Sequence, residues 1–106
     1  MEAIDKFIKA IEEHNFIQAH ELLEEDWKEY KKQGLKKEAK ALQGLINAAT
    51  ALALFYNKKR PEGFKKVWPV YIKYKPLLKQ VSFKNMPKYY YASILLEEKK
   101  EELINF

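Results

Sequence analysis

His20, Glu24 and Trp27 form a His-x-x-x-Glu-x-x-Trp frame in a chain of 106 residues. An imidazole and a carboxylate four residues apart on a helix can both reach one ion or one small polar ligand. On an α-helix the fifth and eighth positions of this frame lie within about 40° of the first. Phe16, Leu23 and Tyr30 fall on the same face. The stripe that should be dry therefore carries an imidazole and a carboxylate, and a buried carboxylate requires a partner.

A second polar stripe suggests where that partner sits. Gln43, Asn47 and Thr50 are spaced i, i+4, i+7 in the most apolar segment of the chain. A short turn around Gly34 should fold this segment back antiparallel on the His20 helix. Gln43 then falls near the level of Glu24 or Trp27, and Asn47 and Thr50 near His20. Two readings follow. In one the stripes meet as a hydrogen-bonded network that fixes helix register. In the other they line a site for a divalent metal ion or a small polar ligand, with His20 and Glu24 as the strong donors and Trp27, Gln43, Asn47 and Thr50 around them. If Glu24 is buried, Glu24→Ala should cost about 1–3 kcal/mol more than Glu25→Ala, because it strands buried donors.

Catalytic constellations are missing. A zinc-protease helix needs a second histidine where Glu24 stands. No nucleophile elbow is present, and the other acids of this helix lie on its outer face. With no cysteine, disulfides, thiolate metal sites and cysteine nucleophiles are excluded. The residues point to binding rather than to a reaction, and no catalytic residue is assigned.

The elements that must position these groups read as helices throughout. The composition, 47% aliphatic and aromatic with three glycines, fits one all-α domain over residues 1–106. Five helices are expected, as a compact bundle with the third at its centre. The first spans residues 2–14, with Ile4, Phe7, Ile8 and Ile11 inward. The second spans 17–32 and carries the His20 frame. Gly34 ends it as a C′ residue. The third spans 36–56 and is apolar on nearly every side, so other helices should surround it. Pro61 opens a fourth, irregular helix in which Pro69 and Pro76 impose a bend or a division into two segments. The fifth spans 87–105, with Tyr91, Ile94, Leu95 and Leu103 inward and Glu97 to Glu102 as a solvated face of i,i+4 charge pairs.

Charge is unevenly spread. Residues 1–53 hold 8 basic and 10 acidic residues, and residues 54–106 hold 12 and 5. Between Lys58 and Lys88 the only acid is Glu62. Lys58, Lys59, Arg60, Lys65 and Lys66 make a basic patch, and Phe64, Trp68, Tyr71, Tyr74 and Phe83 interleave with the lysines of the segment. An anionic partner, nucleic acid or protein, is the alternative function this segment offers. The near absence of arginine argues against base-specific contacts. Tyr89, Tyr90 and Tyr91 point in three directions on one helix, so at least one should be exposed and available for homo-oligomer contacts. No apolar run reaches the length of a membrane span, and no signal segment opens the chain, so a cytoplasmic protein is expected.

The run from Asn15 to Trp27, followed by Leu42-Gln43-Gly44-Leu45-Ile46-Asn47-Ala48-Ala49, resembles the small helical domain of unknown function number 309. That family is marked by His-x-x-x-Glu-x-x-Trp or Tyr and by a Gln-Gly-Leu-Ile type segment. The resemblance covers residues 2–80. It implies an all-helical prokaryotic protein with functional, metal-binding roles at the His20 and Glu24 positions, and no established reaction. The chain departs from the pattern at His14-Asn15, where a glycine is common, and at Gly63-Phe64.

Overall fold

The computed structural model describes residues 1–104. Among them α1 spans Ala3–Glu12, α2 Phe16–Leu22, α3 Glu24–Lys32, α4 Lys36–Leu52, α5 Pro61–Tyr74 and α6 Met86–Leu103. A π-helical turn, Ala53–Asn57, extends α4, and a 3₁₀ segment, Lys75–Gln80, extends α5. No strand occurs among the described residues.

The expected central helix is α4. Ala41, Leu42, Leu45, Ala48, Ala49, Ala51 and Leu52 are all buried. The other helices pack around it because from Ala41 to Leu52 α4 is polar only along Gln43, Asn47 and Thr50. Gly44 lets the end of α5 come close: a Cβ there would lie 3.1 Å from the Tyr74 Cβ. That atom is tied to the backbone, so a larger residue would push the two helices apart. Gly34 adopts φ 76°, the left-handed conformation of a helix C′ position, and reverses the chain between α3 and α4.

The single helix expected over 17–32 is two. Leu23 (φ −101°, ψ −2°) interrupts it, and its side chain is fully buried. Glu24, Glu25 and Asp26 then occupy the first turn of α3, where negative charge suits the helix N-terminus. The corner allows both short helices to rest on α4. Asn15 caps α2, its side chain accepting from the Gln18 amide at 3.4 Å.

The fourth helix divides at Pro76 but not at Pro69. Pro61 lies in the first turn of α5, and Pro69 is accommodated inside it. The helix tightens to 3₁₀ geometry at Pro76. In α6 the inward residues are Tyr89, Ala92, Ser93, Leu95 and Leu96. Tyr91 and Ile94, expected inward, are exposed. The core side of α6 is set by Leu96 and Tyr89, one residue off the face inferred from Tyr91 and Ile94. Leu103 is half-buried against the core. Asn105 lies outside the described residues.

Candidate functional site

His20 and Glu24 are brought together across the Leu23 corner. His20 Nε2 stands 3.8 Å from Glu24 Oε1, and each side chain is about one-third exposed (32% and 35%). The other ring nitrogen is fixed: Nδ1 lies 2.5 Å from the Ile17 carbonyl oxygen. A carbonyl can only accept, so Nδ1 carries the hydrogen. In the neutral ring, Nε2 therefore faces Glu24 with a lone pair. In the protonated ring the same nitrogen carries a hydrogen directed at the carboxylate. This is the backbone-oriented histidine geometry that holds ligating imidazoles in place. Among the described residues no third histidine or acid joins the pair.

The remaining residues of the two stripes are arranged less tightly. Gln43, Asn47 and Thr50 are the half-buried positions in an otherwise buried stretch from 41 to 50, so the stripe is real. Thr50 Oγ1 folds back to donate to the Ile46 carbonyl at 2.9 Å. No hydrogen bond joins Gln43 or Asn47 to His20 or Glu24 among the described residues. Trp27 is partly buried against the core, with Lys31 Nζ 4.5 Å above its ring. Its indole Nε1 is buried and has no acceptor. Glu24 is half-buried, which changes the expectation for its removal: with no buried donor resting on the carboxylate, Glu24→Ala strands nothing.

The basic patch is on the surface. Lys58, Lys59, Arg60, Lys65 and Lys66 are exposed. Lys65 lies 3.7 Å from Glu62, and Lys59 sits 5.4 Å over the Tyr56 ring. Of the interleaved aromatics only Tyr74 is half-buried, with Lys73 Nζ 5.6 Å over its ring, and the others face the core. Phe64, Trp68 and Tyr71 are buried and pack ring against ring, with Phe64 and Trp68 ring centres 5.4 Å apart, and the buried Phe83 packs instead against Tyr30 and Tyr89. The segment offers charge to a partner but not these rings for stacking.

A second polar cluster was not anticipated. The fully buried Tyr71 hydroxyl donates to Glu97 Oε2 at 2.5 Å and accepts from Ser93 Oγ at 2.6 Å. Lys75 Nζ reaches the same Glu97 oxygen at 2.6 Å. Burial, reinforced by the hydrogen bond to Glu97, pushes the Tyr71 phenol well above its usual range. Burial pulls the Glu97 carboxyl upward, but Lys75 and Tyr71 together outweigh it and leave the group below the usual carboxylate range. Glu97 is thus half-buried in a network, not part of a solvated face. The acids and lysines after it do form surface pairs, Lys99 with Glu102 and Lys100 with Glu101, at closer spacings than i,i+4.

This cluster forms one end of an open groove of about 650 Å³ between the 3₁₀ segment and α6, with Leu78, Tyr90 and Ile94 among its lining residues. A sequence signal existed: Tyr71/Lys75 and Ser93/Glu97 are both i,i+4 pairs. Nothing local showed that they meet.

The chain matches the family model described as a domain of unknown function (DUF309) over residues 4–67, and it belongs to that family. No curated protein and no solved structure matches it. The match contains the His20–Glu24 pair and ends before Tyr71. No helix among the described residues is long and apolar enough to cross a membrane.

Proposed function

We propose that this member of the family is a binding module whose ligand is held between His20 and Glu24. The observation that carries the reading is the 3.8 Å separation of the imidazole Nε2 and a carboxylate oxygen, both open to solvent. The Ile17 carbonyl locks the ring in that orientation. With the ring neutral, such a pair is complementary to a small polar molecule that donates hydrogen to both, such as a protonated amine. The Trp27 indole, buried with no hydrogen-bond partner among the described residues, and the half-buried Gln43 and Asn47 amides would supply further polar groups if the two stripes face each other. A divalent ion is the second candidate, because the same lone pairs can coordinate it. His20 and Glu24 supply two of the roughly four donors such an ion takes, so the others would come from solvent or from a bound molecule.

The test is thermal melting of the full chain against small amines, guanidinium and salts of Zn, Mn, Ni and Fe. A true ligand raises the melting temperature by mass action, about 2.7 kcal/mol at a hundred times its Kd. The rise should vanish in both His20→Ala and Glu24→Gln. An unchanged melting temperature at millimolar ligand, or a rise that survives both substitutions, overturns the reading.

A further inference from the structure

We infer that the groove between the 3₁₀ segment and α6 is the seat of a second copy of this chain, in a two-fold dimer whose α6 helices pack antiparallel across Ile94. Helix α6 is apolar on both sides. Tyr89, Leu95 and Leu96 face the core, while Tyr90, Tyr91 and Ile94 are 39%, 47% and 56% exposed. A helix apolar all round is ordinarily surrounded. Here one side is covered by the chain itself and the other is open.

Charge names the occupant. The 3₁₀ wall of the groove carries Lys75 and Lys79, and the α6 wall carries Glu97, Glu98 and Glu101. Lys75 is paired with Glu97, and Glu101 with Lys100. Lys79 and Glu98 line the same groove without pairing to each other or to any described residue. A surface with one basic wall, one acidic wall and an apolar floor complements itself under a two-fold axis.

The register fits. Lys75 contacts Glu97, and the Tyr90 hydroxyl donates to the Leu78 carbonyl at 3.0 Å. The 3₁₀ segment therefore runs antiparallel to α6, with residue 78 at the level of residue 90. If Ile94 meets its own copy in an antiparallel pair, Glu98 of the second copy comes opposite Tyr90. That is the level of Leu78 and Lys79. Each unpaired group thus meets its opposite charge, twice over, while Ile94 and Tyr90 close the floor. The patch is small, so the dimer belongs with weak interfaces, populated at high protein concentration.

Sedimentation velocity and light scattering from micromolar to near-millimolar protein test the proposal. A concentration-dependent dimer is expected, with Ile94→Glu monomeric throughout. Lys79→Glu and Glu98→Lys should each weaken association at least about tenfold, since each places like charges together at two symmetric positions. The double variant should recover most of the loss. These positions are exposed, so all four variants should fold, which circular dichroism checks. A wild-type chain that stays monomeric overturns the dimer and leaves the groove to another occupant. A dimer that survives Ile94→Glu, or single charge reversals that the double variant does not rescue, overturns this face as the interface.

Discussion

The His20–Glu24 notch and the Tyr71–Ser93–Glu97–Lys75 cluster are both small polar groupings on helices, yet they are built oppositely. The notch is local: four residues of separation, both side chains one-third exposed, and a 3.8 Å gap. The cluster is long-range: it joins positions 22 and 26 residues apart, is closed by bonds of 2.5 and 2.6 Å, and rests on a fully buried phenol. A network whose polar atoms bond to one another around a buried phenol stabilises its fold, even though Lys75 and Glu97 at its edge are partly exposed to solvent. A solvent-open pair 3.8 Å apart contributes little stability, and under the proposed function it is where a ligand would be held. Stability effects should therefore concentrate at the cluster, and ligand effects at the notch.

Tyr71→Phe probes the contrast most strongly. It deletes the hydroxyl that joins Ser93 to Glu97 and should cost about 1–3 kcal/mol in denaturant unfolding. A loss no larger than that of Glu24→Ala would erase the distinction. Alkaline titration comes next. Burial raises the Tyr71 phenol and pushes that of Tyr89 to about 12. A folded-state value above the unfolded value of about 10 gives stability that is whole below pH 10 and drains as pH climbs through the folded value. Tyr89 donates no hydrogen bond among the described residues, so Tyr89→Phe should flatten the alkaline loss with little change at neutral pH. An unaltered alkaline limb would show that the phenol titrates alike in both states.

The acid side tests Glu97. Its folded value is depressed, so its contribution is present above the unfolded value of 4.5 and is lost as pH falls. Glu97→Gln should remove part of the acid limb of a melting-temperature profile, and a limb identical to the wild type's would deny the carboxylate this role. The smallest effect is expected at the notch. Glu24→Ala should differ from Glu25→Ala by less than about 1 kcal/mol, because the Glu24 carboxylate is one-third exposed and holds no buried donor. A larger difference would reveal a buried dependence on Glu24 and narrow the gap between the two regions.

The two regions also differ in how far residue spacing reveals them. The His20 frame is visible because a helix repeats every 3.6 residues, and His20 and Glu24 fall within one turn. The same periodicity placed α4 at the centre, through Leu42, Leu45, Ala49 and Leu52, and located the breaks at Gly34, Pro61 and Pro76. Two local effects escaped it. At Leu23, packing of a buried leucine on α4 overrode an unbroken helical pattern. In α6, residues 89–96 are apolar on both sides, and periodicity cannot say which side meets the core. The cluster escaped for another reason. Tyr71 reads as a core aromatic and Glu97 as a surface acid, and only the reach of the Tyr71 side chain from α5 to α6 makes them partners.

The Leu23 corner has a mechanical consequence. His20 belongs to the last turn of one short helix and Glu24 to the first turn of the next, so the separation of the two side chains measures the angle between the helices. Any molecule gripping both would act as a splint across the joint. Its arrival should then be felt along the backbone as slower amide hydrogen exchange from Leu22 to Trp27, a stiffening that spreads beyond the residues it touches.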